Sequence, residues 1–288
     1  MTEPTTHTLE VPGATLAYDV RERAHPGDAR PLFIFGSPMG ASGFDLLVGH
    51  ITDRTVVTYD PRGMERSTRE PGTELTVEVH ADDYHRVVEA LGLGPVDAFG
   101  SSGGGLCGLH WVVAHPEDVH TFVSHEAPAL TLLEDGAVAA QVNADIVATY
   151  QRDGFGPAMA KFIQLVMHQG VLDDEYLRRP APDPAQFGLP TEDDGSRDDL
   201  LLSANLAMPP FTPDGDALRA SSVRIVPAIG ALGEGGMARR GGEAVARLLG
   251  VEPVVFPGDH GGFTASEYSP DNDPAAFAAL LLEVLDQA

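Results

Sequence analysis

The stretch Phe-Gly-Ser-Ser-Gly-Gly at residues 99–104 decides the fold, because it sets a serine inside a frame of glycines. The frame G-x-S-x-G is symmetrical about Ser102, which makes Ser102 and not Ser101 its centre. An apolar run, Val96–Phe99, precedes the frame, and an apolar helix-like segment, Gly103–Ala114, follows it. A strand that turns this sharply into a helix leaves no room for side chains two residues to either side. We therefore predict an exposed Ser102 hydroxyl beside a helix N-terminus, where backbone N–H groups can stabilise an oxyanion.

Short apolar runs alternate with amphipathic segments along most of the chain. The runs predict strands at His7–Val11, Ala14–Val20, Pro31–Phe35, Thr55–Tyr59, Val96–Phe99, Val119–His125, Val223–Ile229 and Glu252–Phe256. The segments predict helices at Phe44–His50, Thr76–Leu91, Gly104–Ala114, Met237–Leu249 and Asp273–Leu285. This alternation indicates an α/β fold with a mainly parallel, twisted sheet that helices cover on both faces. Catalytic groups should then lie at the carboxyl ends of the strands.

Residues 130–215 interrupt the alternation. Helical patterns occupy Ala137–Tyr150, Pro157–His168 and Asp198–Met208, and a Pro- and Asp-rich stretch, Arg179–Asp199, lies between them. We interpret residues 130–215 as a helical cap inserted over the catalytic edge of the sheet, and the Pro/Asp stretch as a loop. The core domain then comprises residues 1–129 and 216–288.

A serine nucleophile needs a base, and the base needs a carboxylate that orients it. Among 11 histidines, His260 is the candidate base. It lies in the sequence Pro-Gly-Asp-His-Gly-Gly-Phe at residues 257–263, directly after the last predicted strand. The neighbouring glycines allow this loop to bend over Ser102.

The chain resembles enzymes of the α/β-hydrolase fold. The resemblance rests on the glycine frame around Ser102, the sequence Gly-Asp-His-Gly-Gly at 258–262 and the sequence Asp-Pro-Arg-Gly at 60–63. In that superfamily the triad follows the chain order serine, acid, histidine, which Ser102 and His260 allow. The resemblance implies a serine hydrolase that needs no cofactor and no metal.

The resemblance also implies an oxyanion hole. The loop Gly-Ser-Pro-Met at residues 36–39 is similar to the oxyanion loop of the superfamily, although Phe35 stands where a histidine is usual. The implied donors are the backbone N–H groups of Ser37 and Gly103. A side-chain change at residue 35 does not affect these donors.

The acid of the triad has two candidates. Most of the superfamily carries it just after the strand predicted at Val223–Ile229, but the matching position holds Gly236, and Glu234 stands two residues early. Haloalkane dehalogenases place a glutamate after the strand that follows the nucleophile helix, and this chain is similar in having Glu126 there. We expect Glu126 to be the acid, with Glu234 as the alternative.

The nucleophile type favours acyl transfer. Dehalogenases and epoxide hydrolases use an aspartate where this chain has Ser102, so an alkyl-enzyme intermediate is not expected. We predict hydrolysis of a small or medium uncharged ester, lactone or thioester through an acyl-enzyme. Alternatives are a biosynthetic acyltransferase or cyclase, a cofactor-free perhydrolase similar to the haloperoxidase group, and a ligand-binding protein on the same fold.

Composition narrows the class of partner. The 288 residues carry a formal net charge of −25, so nucleic acid and anionic membranes are not expected as partners. We expect the partner to be a small-molecule substrate. The N-terminus is polar and no run of 18 apolar residues occurs, so we expect a cytoplasmic protein. The single cysteine, Cys107, cannot form an intramolecular disulfide, and we expect it in the core. The sequence does not indicate an oligomeric state.

Two rival motifs overlap the serine frame. Residues 103–108 fit the dinucleotide pattern G-x-G-x-x-G, but that pattern leaves Ser102 and His260 without a role and is expected in the first strand–helix unit. No Lys-Ser or Lys-Thr follows the glycines, which excludes a P-loop. No paired cysteines and no H-E-x-x-H occur, so we expect no zinc site of those types.

Overall fold

Eight strands form a single sheet in the computed structural model, which describes residues 3–23, 29–265 and 269–287. The strands are β1 (Thr5–Val11), β2 (Ala14–Arg21), β3 (Leu32–Phe35), β4 (Val56–Tyr59), β5 (Val96–Ser101), β6 (Val119–His125), β7 (Arg224–Gly230) and β8 (Val254–Phe256). Their order in the sheet is β1-β2-β4-β3-β5-β6-β7-β8. The pairs β1–β2 and β2–β4 are antiparallel, and all other pairs are parallel. The predicted fold class is therefore confirmed.

Helices connect the parallel strands. Those of the described residues are α1 (Asp45–Gly49), α2 (Val77–Leu91), α3 (Gly103–Ala114), α4 (Gly136–Asp153), α5 (Phe155–Val166), α6 (Asp174–Leu177), α7 (Gly215–Ala220), α8 (Met237–Leu249) and α9 (Pro274–Asp286). None of these helices is both long enough and apolar enough to cross a membrane.

Strand β3 shows why the sheet is covered on both faces. All four of its residues are buried. Phe33 and Phe35 pack into one apolar cluster, together with Tyr84 of α2 and Trp111 of α3. Leu32 and Ile34 point the other way, into a cluster that includes α1 and α9. Successive side chains of a strand alternate between faces, so a run of four apolar residues requires a core on each side.

Strand β5 lies in the interior of the sheet, between β3 and β6. The G-x-G-x-x-G pattern at residues 103–108 begins the helix that follows the fifth strand in chain order, whereas a dinucleotide site of this type begins the helix after the first strand. Cys107 of α3 is fully buried, as predicted.

The helical segment, as we call residues 130–215, forms its own apolar cluster from α4, α5, α6 and Leu202. It is fastened to α8 by Arg240, whose guanidinium binds both carboxylate oxygens of the buried Asp135 at 2.6 and 2.9 Å. The helix expected over Asp198–Met208 is shorter in the structure, where its regular part is one π-helical turn, Leu201–Asn205. Pro209 and Pro210 lack the N–H groups that would continue a helix beyond it.

Candidate active site

Ser102 occupies a sharp turn between β5 and α3. Its backbone angles are φ 56° and ψ −126°, a conformation that costs a non-glycine residue on the order of 1–3 kcal/mol. Its N–H donates to the carbonyl oxygen of His125 at 2.9 Å, across the end of β6. The turn therefore places Ser102 at the carboxyl edge of the sheet, next to the residue that follows β6.

The two glycines of the frame are required by close packing. A β-carbon on Gly104 would lie 2.9 Å from both the Cα atom of Gly36 and the carbonyl oxygen of Phe35. A β-carbon on Gly100 would lie 2.8 Å from the Phe35 ring. Helix α3 thus starts against the end of β3, and no larger residue fits there without backbone movement.

Ser37 and Gly103, the two residues expected to form the oxyanion hole, are neighbours in space. A β-carbon on Gly103 would lie 2.6 Å from the carbonyl oxygen of Ser37 and 3.2 Å from its Cβ atom. The loop after β3 therefore packs directly against the first turn of α3. Ser37 is only 5% exposed, and its Oγ atom accepts a hydrogen bond from Asn205 Nδ2 at 2.7 Å.

Glu126 and His260 are in contact. Glu126 follows β6 directly, and its φ of 45° turns the chain so that the carboxylate faces the end of β7. One carboxylate oxygen, Oε2, lies 2.7 Å from His260 Nδ1, and the other, Oε1, accepts the N–H of Gly230 at 2.8 Å. The side chain of Glu126 is 2% exposed, whereas that of His260 is 42% exposed. A buried carboxylate thus holds a ring that is open on its other side.

Hydrogen bonding keeps Glu126 ionised. Burial by itself would raise the pKa of this carboxyl. The hydrogen bond and charge of His260 and the N–H of Gly230 outweigh burial and hold the pKa of Glu126 below its usual value. An ionised Glu126 favours the His260 tautomer that carries its proton on Nδ1, which leaves a lone pair on Nε2.

The loop that carries His260 is fixed by Asp259. The Oδ1 atom of Asp259 accepts the N–H of Gly261 at 2.8 Å and the Nδ2 group of Asn272 at 2.9 Å. Its Oδ2 atom accepts the hydroxyl of Ser269 at 2.6 Å. These bonds fix the backbone on both sides of His260.

Glu234, the alternative acid, lies in an exposed turn between β7 and α8. The N–H of Gly230, at the end of β7, is instead bound by Glu126. The structure therefore pairs Glu126 and not Glu234 with the histidine.

One group of described residues could supply metal ligands: His85, His115 and Glu117, whose ligand atoms lie within 4.8 Å of one another. The two imidazole rings are stacked, with centroids 3.8 Å apart and planes 12° apart. A metal ion binds in the plane of each imidazole ligand, and it cannot lie in two parallel planes at once. In addition, Asp118 holds His85 Nδ1 at 2.8 Å. The arrangement is that of a stacked histidine pair, and we propose no metal site there.

The family model described as alpha/beta hydrolase fold matches residues 38–181, which include the serine turn, Glu126 and part of the helical segment. A relative over most of the length is the uncharacterized hydrolase YraK of Bacillus subtilis, with 31% identity over 267 residues, 89% of this chain and 90% of that protein. The chain belongs to the α/β-hydrolase fold family.

A relative matched over a shorter stretch and a solved structure agree with this family membership. The putative carbamate hydrolase RutD of Caulobacter vibrioides is 33% identical over 144 residues, 44% of this chain and 54% of that protein. Among solved structures, an esterase from Thermogutta terrifontis superposes with a TM-score of 0.68 at 19% identity, covering 99% of this chain and 98% of the esterase. An identity this low establishes the shared fold alone.

Sequence reasoning missed Asn205. Its contact with Ser37 spans 168 positions of the chain, and no local motif surrounds it. Only the three-dimensional arrangement brings it to the loop after β3.

Proposed function

We propose that this protein is a serine hydrolase with the triad Ser102, His260 and Glu126. The observation that supports the proposal best is the 2.7 Å contact between Glu126 and His260, made at the carboxyl edge of the sheet beside the strained turn of Ser102. A buried carboxylate on one nitrogen of an accessible histidine is the arrangement that a general base requires. The proposal agrees with the hydrolase names of the relatives.

The mechanism follows from these roles. His260 Nε2 takes the proton of the Ser102 hydroxyl as Ser102 attacks the substrate carbonyl, and it then passes that proton to the leaving group. Glu126 stabilises the imidazolium that forms in between. Water, activated by the same histidine, then hydrolyses the acyl-enzyme. The backbone N–H groups of Ser37 and Gly103 donate to the oxyanion, and removing one such donor typically costs about 2.7–4 kcal/mol of transition-state stabilisation.

The substrate is a small or medium uncharged ester, lactone or thioester. Residues 130–215 act as a cap that closes over the carbonyl and excludes bulk water. The net charge of −25 disfavours an anionic substrate. Names among the relatives and structural neighbours, esterase and putative carbamate hydrolase, are consistent with attack on the carbonyl of an ester or a related group.

A fluorophosphonate label followed by mass mapping tests the nucleophile. We expect the label on Ser102, and we expect it to vanish in Ser102→Ala and to form far more slowly in His260→Ala. The nearby Ser101→Ala variant is the matched control and should still be labelled at Ser102. A label on another residue, or a Ser102→Ala variant that still hydrolyses phenyl propanoate, would refute the proposal.

Product analysis separates hydrolysis from transfer. With phenyl propanoate in water, a hydrolase releases one propanoate for each phenol. Transfer of the acyl group to an added alcohol or to hydrogen peroxide, at a rate well above hydrolysis, would instead indicate an acyltransferase or a perhydrolase on the same triad.

A further inference from the structure

Asn205 lies where the helical segment meets the loop after β3. Its Nδ2 group donates to Ser37 Oγ at 2.7 Å. Ser37 in turn packs against Gly103, the residue after Ser102. A single residue, Ser37, therefore stands between the amide of Asn205 and the serine turn.

The hydrogen bonds of this pair are incomplete. The Oδ1 atom of Asn205 is buried and has no hydrogen-bond partner among the described residues. The hydroxyl of Ser37 accepts from Asn205, and no acceptor for its own proton occurs within residues 3–23, 29–265 and 269–287. A buried polar atom without a partner costs free energy, so buried polar groups are nearly always paired. The pair thus offers one acceptor and one donor side by side.

The backbone around Asn205 is irregular in the same place. Asn205 ends the π-helical turn that starts at Leu201, and the N–H of Leu206 bonds to the carbonyl oxygen of Leu201 at 3.0 Å. Such turns are rare and occur frequently at functional sites, because the wider turn redirects side chains. Here the turn directs Asn205 to the loop that carries Ser37.

We propose that Asn205 and Ser37 select carbonyl substrates that carry a hydrogen-bond donor on the atom next to the carbonyl carbon. The donor, a hydroxyl or an N–H, binds Asn205 Oδ1, and the Ser37 hydroxyl donates to an oxygen of the same ester group. A 2-hydroxy ester and a carbamate share this chemistry. The proposal rests on the proposed function, because it takes the substrate carbonyl to lie at Ser102.

The test compares substrates in which a methyl group replaces the hydrogen of this donor, and the variants described below correct for the accompanying differences in size and intrinsic reactivity. One pair is phenyl 2-hydroxypropanoate and phenyl 2-methoxypropanoate; the other is phenyl N-methylcarbamate and phenyl N,N-dimethylcarbamate. We expect the native protein to prefer the donor-bearing member of at least one pair by about tenfold in kcat/KM, which is the effect of one buried hydrogen bond. The pair that shows the preference identifies whether the donor is a hydroxyl or an N–H.

Variants assign the preference to Asn205. Asn205→Leu should lower kcat/KM for the preferred member about tenfold and change its methylated analogue less than about twofold. Asn205→Ser, which is smaller and polar, should lose the preference in the same way if the leucine variant folds poorly. Asn143→Leu is the matched control, because Asn143 lies on α4 and also has a buried Oδ1 without a partner in the described chain. It should keep the preference.

The outcomes separate this proposal from the proposed function. Equal rates for both members of each pair in the native protein, or a preference that persists in Asn205→Leu and Asn205→Ser, would overturn the proposal. An equal loss on both members would also overturn it, since that marks a structural role. The proposed function fails independently if fluorophosphonate does not label Ser102.

Discussion

The proposed mechanism requires a negative charge on Glu126, which orients His260. Both carboxylate oxygens have hydrogen-bond partners: one binds His260 Nδ1 and the other accepts the N–H of Gly230. Glu126→Gln keeps the shape but removes the charge that orients and stabilises the histidine. We expect kcat for phenyl propanoate to fall roughly 10³- to 10⁴-fold with little change in KM, as measured by steady-state phenol release.

Glu234→Gln is the control for this experiment. Glu234 lies in an exposed turn, so its amide variant should keep kcat within about twofold, the size expected for a surface substitution. A normal kcat in Glu126→Gln, with or without a loss in Glu234→Gln, would contradict the assignment of the acid.

Single residues differ in how far the sequence reveals them. Ser102 and His260 stand in short glycine-rich patterns whose geometry is local, so the pattern itself indicates the residue. Glu126 has no pattern of its own, and only a resemblance in strand order indicates it. The sequence does not indicate a role for Asn205, because its partner Ser37 is 168 positions away. Their hydrogen bond depends on how the helical segment packs against the loop after β3.

Elements with strong local signals were predicted at the right bounds. Strand β6 and helix α8 match their predicted limits, and Thr76, whose hydroxyl accepts the N–H of Val79, caps α2 where the prediction began it. The helix predicted over Asp198–Met208 is shorter in the structure and is π-helical over Leu201–Asn205. The carboxylate of Asp199 accepts the N–H of Leu202 and caps the start of this turn, and Pro209 and Pro210 prevent its continuation.

Helix α3 depends on its glycines for contact with β3. A β-carbon on Gly104 would lie 2.9 Å from backbone atoms of Phe35 and Gly36. Relieving this contact would require the end of β3 or the start of α3 to move. We expect Gly104→Ala to lower the free energy of unfolding by about 2 kcal/mol, as for overpacking in a core. Gly49→Ala in α1 is the control, because nothing lies within 4 Å of its β-carbon position. It should be neutral or stabilising by up to about 1 kcal/mol. Urea unfolding measures both, and equal effects would contradict the packing argument.

At the scale of the whole molecule, two histidines that are neutral and buried in the described parts of the chain, His80 and His125, should make the free energy of unfolding sensitive to acid. Burial lowers the pKa of His125 to about 4, and burial together with the charge of Arg62 lowers the pKa of His80 to about 4. The unfolded chain protonates each of them near pH 6.5, so their contribution to stability is complete above that pH and is lost as the pH falls toward 4. Each histidine should lower the free energy of unfolding by about 2 kcal/mol when the pH falls from 7 to 5.

His80→Leu isolates one of these contributions. Both ring nitrogens of His80 are buried and have no hydrogen-bond partner in the described parts of the chain, so an apolar residue can replace it. We expect the free energy of unfolding of His80→Leu to fall about 2 kcal/mol less than that of the native protein between pH 7 and pH 5. Urea unfolding at both pH values gives the comparison. Parallel pH curves would show that folding does not lower the pKa of His80.

The net charge of −25 acts on every substrate that approaches the sheet edge. An anionic ester is repelled over a Debye length of about 30 Å at 0.01 M salt, but over only about 3 Å at 1 M. The ratio of kcat/KM for monophenyl succinate to that for phenyl butanoate should therefore rise at least about threefold between these salt concentrations. The neutral ester corrects for salt effects on the protein itself. A constant ratio would mean that local charges at the site, and not the field of the whole molecule, set the discrimination.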